Sequence, residues 1–115
     1  MREIVVVVPA HNERDRLPGC LASVAAAADQ VAVPVTVVVV LDACTDGSED
    51  AIARPVRAMS VSGRNVGAAR AAGFAAAAPR ADARTWLATT DADSVVPTTW
   101  LADQAVHIAP GCRVL

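Results

Sequence analysis

Aromatic residues are nearly missing from this chain. It has no tyrosine, one phenylalanine and two tryptophans among 115 residues. Its core must therefore be built from small aliphatic side chains packed closely, and alanine and valine supply much of the 54% hydrophobic content. Charge is also sparse, at 19% of residues, and nearly balanced at a formal −2. That balance gives no electrostatic attraction to nucleic acid or to an anionic membrane. The three cysteines, Cys20, Cys44 and Cys112, are an odd number without a C-x-x-C spacing. They argue against a disulfide framework and against a zinc site, and a reducing, cytoplasmic setting is expected. No signal peptide is evident, because the apolar run Ile4–Val8 is short and His11-Asn12-Glu13-Arg14 follows at once. No charge-free run is long enough to span a bilayer, since Asp29 interrupts the longest candidate.

Several catalytic signatures are absent as well. There is no Gly-x-Ser-x-Gly nucleophile elbow and no Walker-type Gly-x-x-x-x-Gly-Lys. No Gly-x-Gly-x-x-Gly follows the first apolar run, which weakens a dinucleotide-binding reading. A dehalogenase-type phosphatase carries Asp-x-Asp after its first strand, but that position here holds Pro9-Ala10-His11.

What is present alternates. Ile4–Val8 is a continuous β-branched run, the pattern of a strand buried on both faces. Leu17–Ala28 has Leu17, Leu21 and Val24 at helical spacing, with Pro18 tolerated in the first turn. Val35–Leu41 is a second β-branched run ending at Asp42. Asp46-Gly47-Ser48 marks a turn and the start of a short helix that stops before Pro55, with Asp46 or Ser48 as its cap. Val56–Val61 reads as a third strand. Asn65–Ala78 is an alanine-rich helix stopped by Pro79. Trp86–Thr90 reads as the fourth strand and Pro97–His107 as a further helix. Strands alternating with helices predict one α/β domain over residues 1–115, a mostly parallel sheet with helices on both faces.

In such sheets ligands bind beyond the carboxyl ends of the strands, and the polar clusters fall there. Pro9-Ala10-His11-Asn12-Glu13 follows the first strand and Asp42–Ser48 the second. Arg64-Asn65-Val66-Gly67 follows the third and Asp91-Ala92-Asp93-Ser94 the fourth. On an extended segment, residues i and i+2 point the same way, so Asp91 and Asp93 are expected to converge on one hard cation, Mg²⁺ or Mn²⁺. An ion held by one or two carboxylates usually takes substrate phosphates as further ligands, which points to a phosphate-bearing substrate. The competing reading is that one Asp caps the next helix and the other is solvated. Asp42 either accepts from a base or ribose, or forms the turn. Glu13 either binds ribose or base, or begins the first helix. Gly67 allows close backbone approach at a helix N-terminus that favours an anion. Arg70 either reaches a base or diphosphate, or is solvated. His11 reads as a loop residue, and Cys44 lacks an activating partner.

Val8-Pro9-Ala10-His11-Asn12-Glu13, Val40–Ser48, Arg64–Arg70 and Asp91-Ala92-Asp93 together resemble family 2 glycosyltransferases of the GT-A fold. The resemblance runs from residue 3 to about residue 105. It implies transfer of a sugar from a nucleotide-diphosphate-sugar donor to an acceptor the sequence does not name. It implies that Pro9, Ala10, Asn12 and Glu13 line the nucleotide pocket, that Asp42 bonds the base, and that Asn65, Gly67 and Arg70 flank the nucleotide. Asp91 and Asp93 would be the metal-binding pair, with Asp93 the more direct ligand to Mg²⁺ or Mn²⁺. A complete enzyme of the family continues well past this pair, so the chain is expected to be a truncated donor half. It holds no residue matching the catalytic base, and His107 matches no family position. The other reading is a non-catalytic fragment or interaction module that binds nucleotide without turnover, or pairs its exposed sheet edge with a second copy or a missing partner half.

Overall fold

The computed structural model describes residues 3–79, 84–107 and 113–114. Strand β1 (Glu3–Ala10) is followed by helix α1 (Leu17–Ala28), β2 (Val35–Asp42), a 3₁₀ turn (Ser48–Ala51) and β3 (Arg57–Val61). Helix α2 (Val66–Ala77), β4 (Thr85–Thr89), α3 (Trp100–His107) and the two-residue β5 (Arg113–Val114) complete the order. The strands form a five-stranded sheet in the order β3-β2-β1-β4-β5, and every pairing is parallel.

Central placement explains the sequence of β1. Ile4 through Val8 are all at most 1% exposed. Their alternation divides them between two faces. Ile4, Val6 and Val8 join Leu17, Cys20, Leu21, Val24 and Ala27 of α1 and Leu101 of α3. Val5 and Val7 join Val38, Val40 and Ala69 under α2. Helices thus cover both faces, as the alternation of elements predicts. Pro9 is tolerated in a central strand because pairing with β4 covers only Glu3–Val7, so its missing N–H removes no bond on that side.

Alanine-rich α2 lies unusually near the sheet. A Cβ at Gly73 would stand 2.6 Å from Val7 and 2.8 Å from Val40. Only glycine fits there without displacement. Asn65 caps the helix by accepting from the Ala68 N–H at 2.8 Å.

Several boundaries differ from the sequence reading. β1 and β2 run further, to Ala10 and Asp42. β3 begins at Arg57, not Val56. β4 starts one residue earlier and ends at Thr89. α3 begins at Trp100, not Pro97, because residues 97–99 form a turn closed by the Trp100 N–H on the Pro97 carbonyl at 3.0 Å. Gly111 and Cys112 lie outside the described residues.

The strand order fixes where a ligand fits. From β1 the chain steps to β2 and β3 on one side, then returns to place β4 on the other. The direction reverses at the β1/β4 boundary, and a crevice opens beyond the carboxyl ends at such a switch point. Pro9–Glu13 and Asp91–Asp93 flank that boundary.

Candidate functional site

The loops leaving β1 and β2 are bound to each other before they are bound to anything else. Asn12, in the left-handed region at φ 52°, accepts from the Thr45 N–H at 2.7 Å through its side-chain oxygen. The Asn12 N–H donates to Cys44 Sγ, and the Cys44 thiol donates to the Ala10 carbonyl, each at 3.4 Å. His11 Nδ1 stands 2.6 Å from the Asp42 carbonyl oxygen. A carbonyl only accepts, so Nδ1 carries the proton. Further out, the Arg14 N–H donates to Asp46 at 3.1 Å and its guanidinium to the Asp46 carbonyl at 3.3 Å. Asp46 also accepts from the backbone N–H and hydroxyl of buried Ser48. The Ser48 hydroxyl bond, above all, holds the Asp46 carboxyl below its ordinary range.

Asp42 plays the corresponding part toward β3 and α2. It is 5% exposed, and its two oxygens accept from the N–H groups of Arg64 at 2.8 Å and Asn65 at 2.9 Å. One carboxylate therefore ends β2, fixes the left-handed Arg64 (φ 49°) and positions the cap of α2. Two of its roughly four acceptor positions remain open toward solvent or ligand.

These loops enclose a cleft of about 290 Å³ at the β1/β4 boundary. Six of the residues singled out in the sequence line it: Pro9, Ala10, Glu13, Asp42, Asp91 and Asp93. Four others do not. Asn12 is committed to the Thr45 contact and Asn65 to capping α2. Gly67 is exposed, and its missing Cβ leaves room for the Asn65 carboxamide oxygen, 3.3 Å from where that Cβ would stand. Arg70 reaches the cleft indirectly, through Asp91. His11, Val66, Ala69 and Ala92 also line the cleft and were not singled out for it. The apolar ones carry no chemical signature in a sequence; only the strand order brings them here.

The Asp-x-Asp geometry departs from expectation. β4 has ended at Thr89, and Asp91–Ser94 form a turn closed by the Ser94 N–H on the Asp91 carbonyl at 3.0 Å. The i, i+2 alternation of an extended strand therefore does not apply. Ala92 is tucked inward at 3% exposure, and the flanking carboxylates take different partners. Asp91 pairs with Arg70 of α2 at 3.3 Å, and Asp93 pairs with Arg16, just before α1, at 3.6 Å. All four side chains are substantially exposed, so each pair contributes about 0–1 kcal/mol. Arg70 Nε is buried without an acceptor.

Arg16 escaped the sequence reading, although a signal for it existed. It is the N-cap of α1 and makes no side-chain cap bond. Ser, Thr, Asp or Asn is preferred there, and a cation is disfavoured by the helix dipole. Cys20, one turn further, donates its thiol to the Asp91 carbonyl at 3.4 Å. Burial, and then the charges of Asp93 and Asp91, push that thiol up to about 11.

The donor set of the turn is two carboxylates. No group of three or more His, Cys, Asp or Glu side chains able to hold a metal occurs among the described residues. Two hard oxygen donors fit Mg²⁺ or Mn²⁺ only if a ligand's phosphates and water complete the shell, the ordinary arrangement for Mg²⁺. Among the same residues no helix is long and apolar enough to cross a membrane.

Two solved structures share this architecture. The crystal structure of S. aureus TarS 1-349 matches with a TM-score of 0.71 and 21% identity, over 92% of this chain and 32% of that one. The crystal structure of S. aureus TarS matches with a TM-score of 0.67 and 21% identity, over 92% of this chain and 19% of that one. The chain thus spans about a third of the first and about a fifth of the second. At that identity the likeness concerns the fold, the α/β arrangement of the GT-A type. No curated protein sequence gives a match. The sequence profile described as Glycosyl transferase family 2 matches residues 5–113, taking in both loops of the cleft and the Asp-x-Asp turn. With nearly its whole length accounted for, the chain belongs to glycosyl transferase family 2.

Proposed function

We propose that this chain holds the donor site of a glycosyltransferase that takes a nucleotide-diphosphate-sugar. One observation carries the reading: Glu13, Asp42, Asp91 and Asp93 line a single cleft at the point where the sheet reverses direction. Asp91 and Asp93 would hold Mg²⁺ or Mn²⁺ together with the donor's phosphates. The ion, when bound, supplies neutralisation of the departing diphosphate. Glu13 and the open acceptor positions of Asp42 suit the hydroxyls of a ribose or the N–H groups of a base. Pro9, Ala10, Val66 and Ala69 give the cleft apolar walls for the flat face of a base. Catalytic base and acceptor are assigned to no residue of this chain. The free thiols of Cys20 and Cys44 suit a reducing cytoplasm.

Calorimetric titration with UDP, GDP and ADP, with and without Mn²⁺, tests the reading. The expected result is binding of at least one nucleotide that requires Mn²⁺ and is lost in Asp93→Ala. A folded wild-type chain that binds none of them would overturn it.

A further inference from the structure

Each carboxylate of the Asp-x-Asp turn already has a cation, and the two cations differ in kind. Arg70 projects from the middle of α2's first half, at an ordinary helical position. Arg16 stands at the N-cap of α1, without a cap bond, where local preference selects against it. Departures from local rules concentrate at functional sites. Arg16 also lines a second, strongly polar cleft of about 320 Å³ with Asn12, Arg14 and Asp46. Glu13 borders both clefts. The arginine therefore lines the polar cleft and, through its pair with Asp93, meets the wall of the proposed donor site.

We propose that Arg16 is an exchangeable counter-ion. It neutralises Asp93 in the free protein, and passes to a diphosphate oxygen of the donor when a divalent cation takes the carboxylate. The inference rests on the donor-site reading above. Three features support exchange over permanent pairing. The contact is 3.6 Å, longer than a tight ion pair, and both side chains are well exposed, at 65% and 46%. Among the described residues the Arg16 side chain has no other hydrogen bond to break; its backbone N–H, bonded to the Glu13 carbonyl at 3.1 Å, holds its Cα in place while the side chain swings. A guanidinium also suits a diphosphate as well as it suits a carboxylate, through the same planar fork. Arg70 makes the parallel contact to Asp91, and its buried, unpartnered Nε means that pairing too leaves a donor unsatisfied.

The exchange has a signature that ordinary charge removal lacks. Arg16→Gln removes a competitor for Asp93, so Mn²⁺ alone should bind about two- to five-fold more tightly, the range set by an exposed ion pair. UDP in the presence of saturating Mn²⁺ should bind correspondingly more weakly. Arg64→Gln is the charge-matched control. It lies on the same rim, its backbone N–H to Asp42 is untouched, and it pairs with neither carboxylate of the turn. It should leave Mn²⁺ affinity within about two-fold of the wild type. Mn²⁺ affinity is read from the electron paramagnetic resonance signal of the free ion, and UDP affinity by calorimetry. Thermal unfolding of each variant establishes that it is folded. If Arg16→Gln and Arg64→Gln change Mn²⁺ affinity equally, the exchange is refuted while the donor site stands. If neither Arg16→Gln nor the double variant with Arg70→Gln takes up Mn²⁺ alone, although the wild type binds UDP with Mn²⁺, the exchange is refuted as well. If the wild type binds neither Mn²⁺ nor any of UDP, GDP and ADP with Mn²⁺, both readings fall together.

Discussion

Asp42 separates two accounts of this cleft. If it is chiefly a nucleotide contact, removing it relieves a buried charge and leaves the fold as stable as before, or more so. The structure gives a different expectation. Both carboxylate oxygens accept backbone N–H groups, from Arg64 at 2.8 Å and Asn65 at 2.9 Å. Hydrogen bonds to a charged group contribute about 1.5–3 kcal/mol each. Arg64 and Asn65 are exposed, so their orphaned N–H groups regain water and only part of the sum is lost. The expected destabilisation for Asp42→Ala is about 1.5–3 kcal/mol, and roughly half of that for Asp42→Asn, which keeps one acceptor but turns an NH₂ toward the other N–H. Urea unfolding, followed by far-ultraviolet circular dichroism, should show a lower midpoint at an unchanged slope. An Asp42→Ala midpoint equal to or above the wild type would refute the reasoning and return Asp42 to a purely ligand-binding part.

Three further outcomes are expected. Gly73→Ala should destabilise by about 1–2 kcal/mol, because overpacking against Val7 and Val40 (about 1–3 kcal/mol) outweighs the helix propensity gained (about 1 kcal/mol). Gly19→Ala on α1, with nothing within 4 Å of the new Cβ, should be neutral or stabilising; thermal denaturation compares the two. In a Cys112→Ser background at pH 8, Cys44 should react with a disulfide reagent and Cys20 should not until the chain unfolds. Cys20 is fully buried, and with its thiol pushed up to about 11 roughly a thousandth of it is ionised. Asp46 sets an acid limit. Its folded value lies below 3.8, so its contribution is fully present above about pH 4–5 and is lost as pH falls through the lowered folded value. The gap in urea midpoint between wild type and Asp46→Asn should therefore be constant from pH 7 to about 5 and should close in stronger acid.

The sequence carried the periodicities, and through them the layers. The unbroken run Ile4–Val8 is legible because a strand covered on both faces needs apolar side chains at every position, and β1 is buried from Ile4 to Ala10. Asn65 before an alanine-rich stretch marks a helix start, and the structure shows the cap bond. Family membership was also legible, since the four polar clusters keep their order along the chain and the family profile covers them. Sequence reasoning did not reach neighbours that come from distant segments. It expected Asp91 and Asp93 to converge on an extended segment just after the fourth strand, whereas the turn at Asp91–Ser94 gives each a separate arginine, from α2 and from the start of α1. Nor did it show that the side-chain oxygen of Asn12 is held by Thr45, 33 residues further on.

The division has a physical cause. Hydrophobic period, capping and turn chemistry act over a few residues, so the chain's own order determines them: the strands, the helices, the rim on which polar loops emerge. Which strand lies beside β1 is settled by packing that spans the chain. The return of β4 to the far side of β1 brings Asp91 and Asp93 to the loop after Ala10, and no local pattern encodes that neighbour. The partners of the carboxylates were decided by the tertiary structure alone, because an ion pair depends on distance in space and not on separation along the chain.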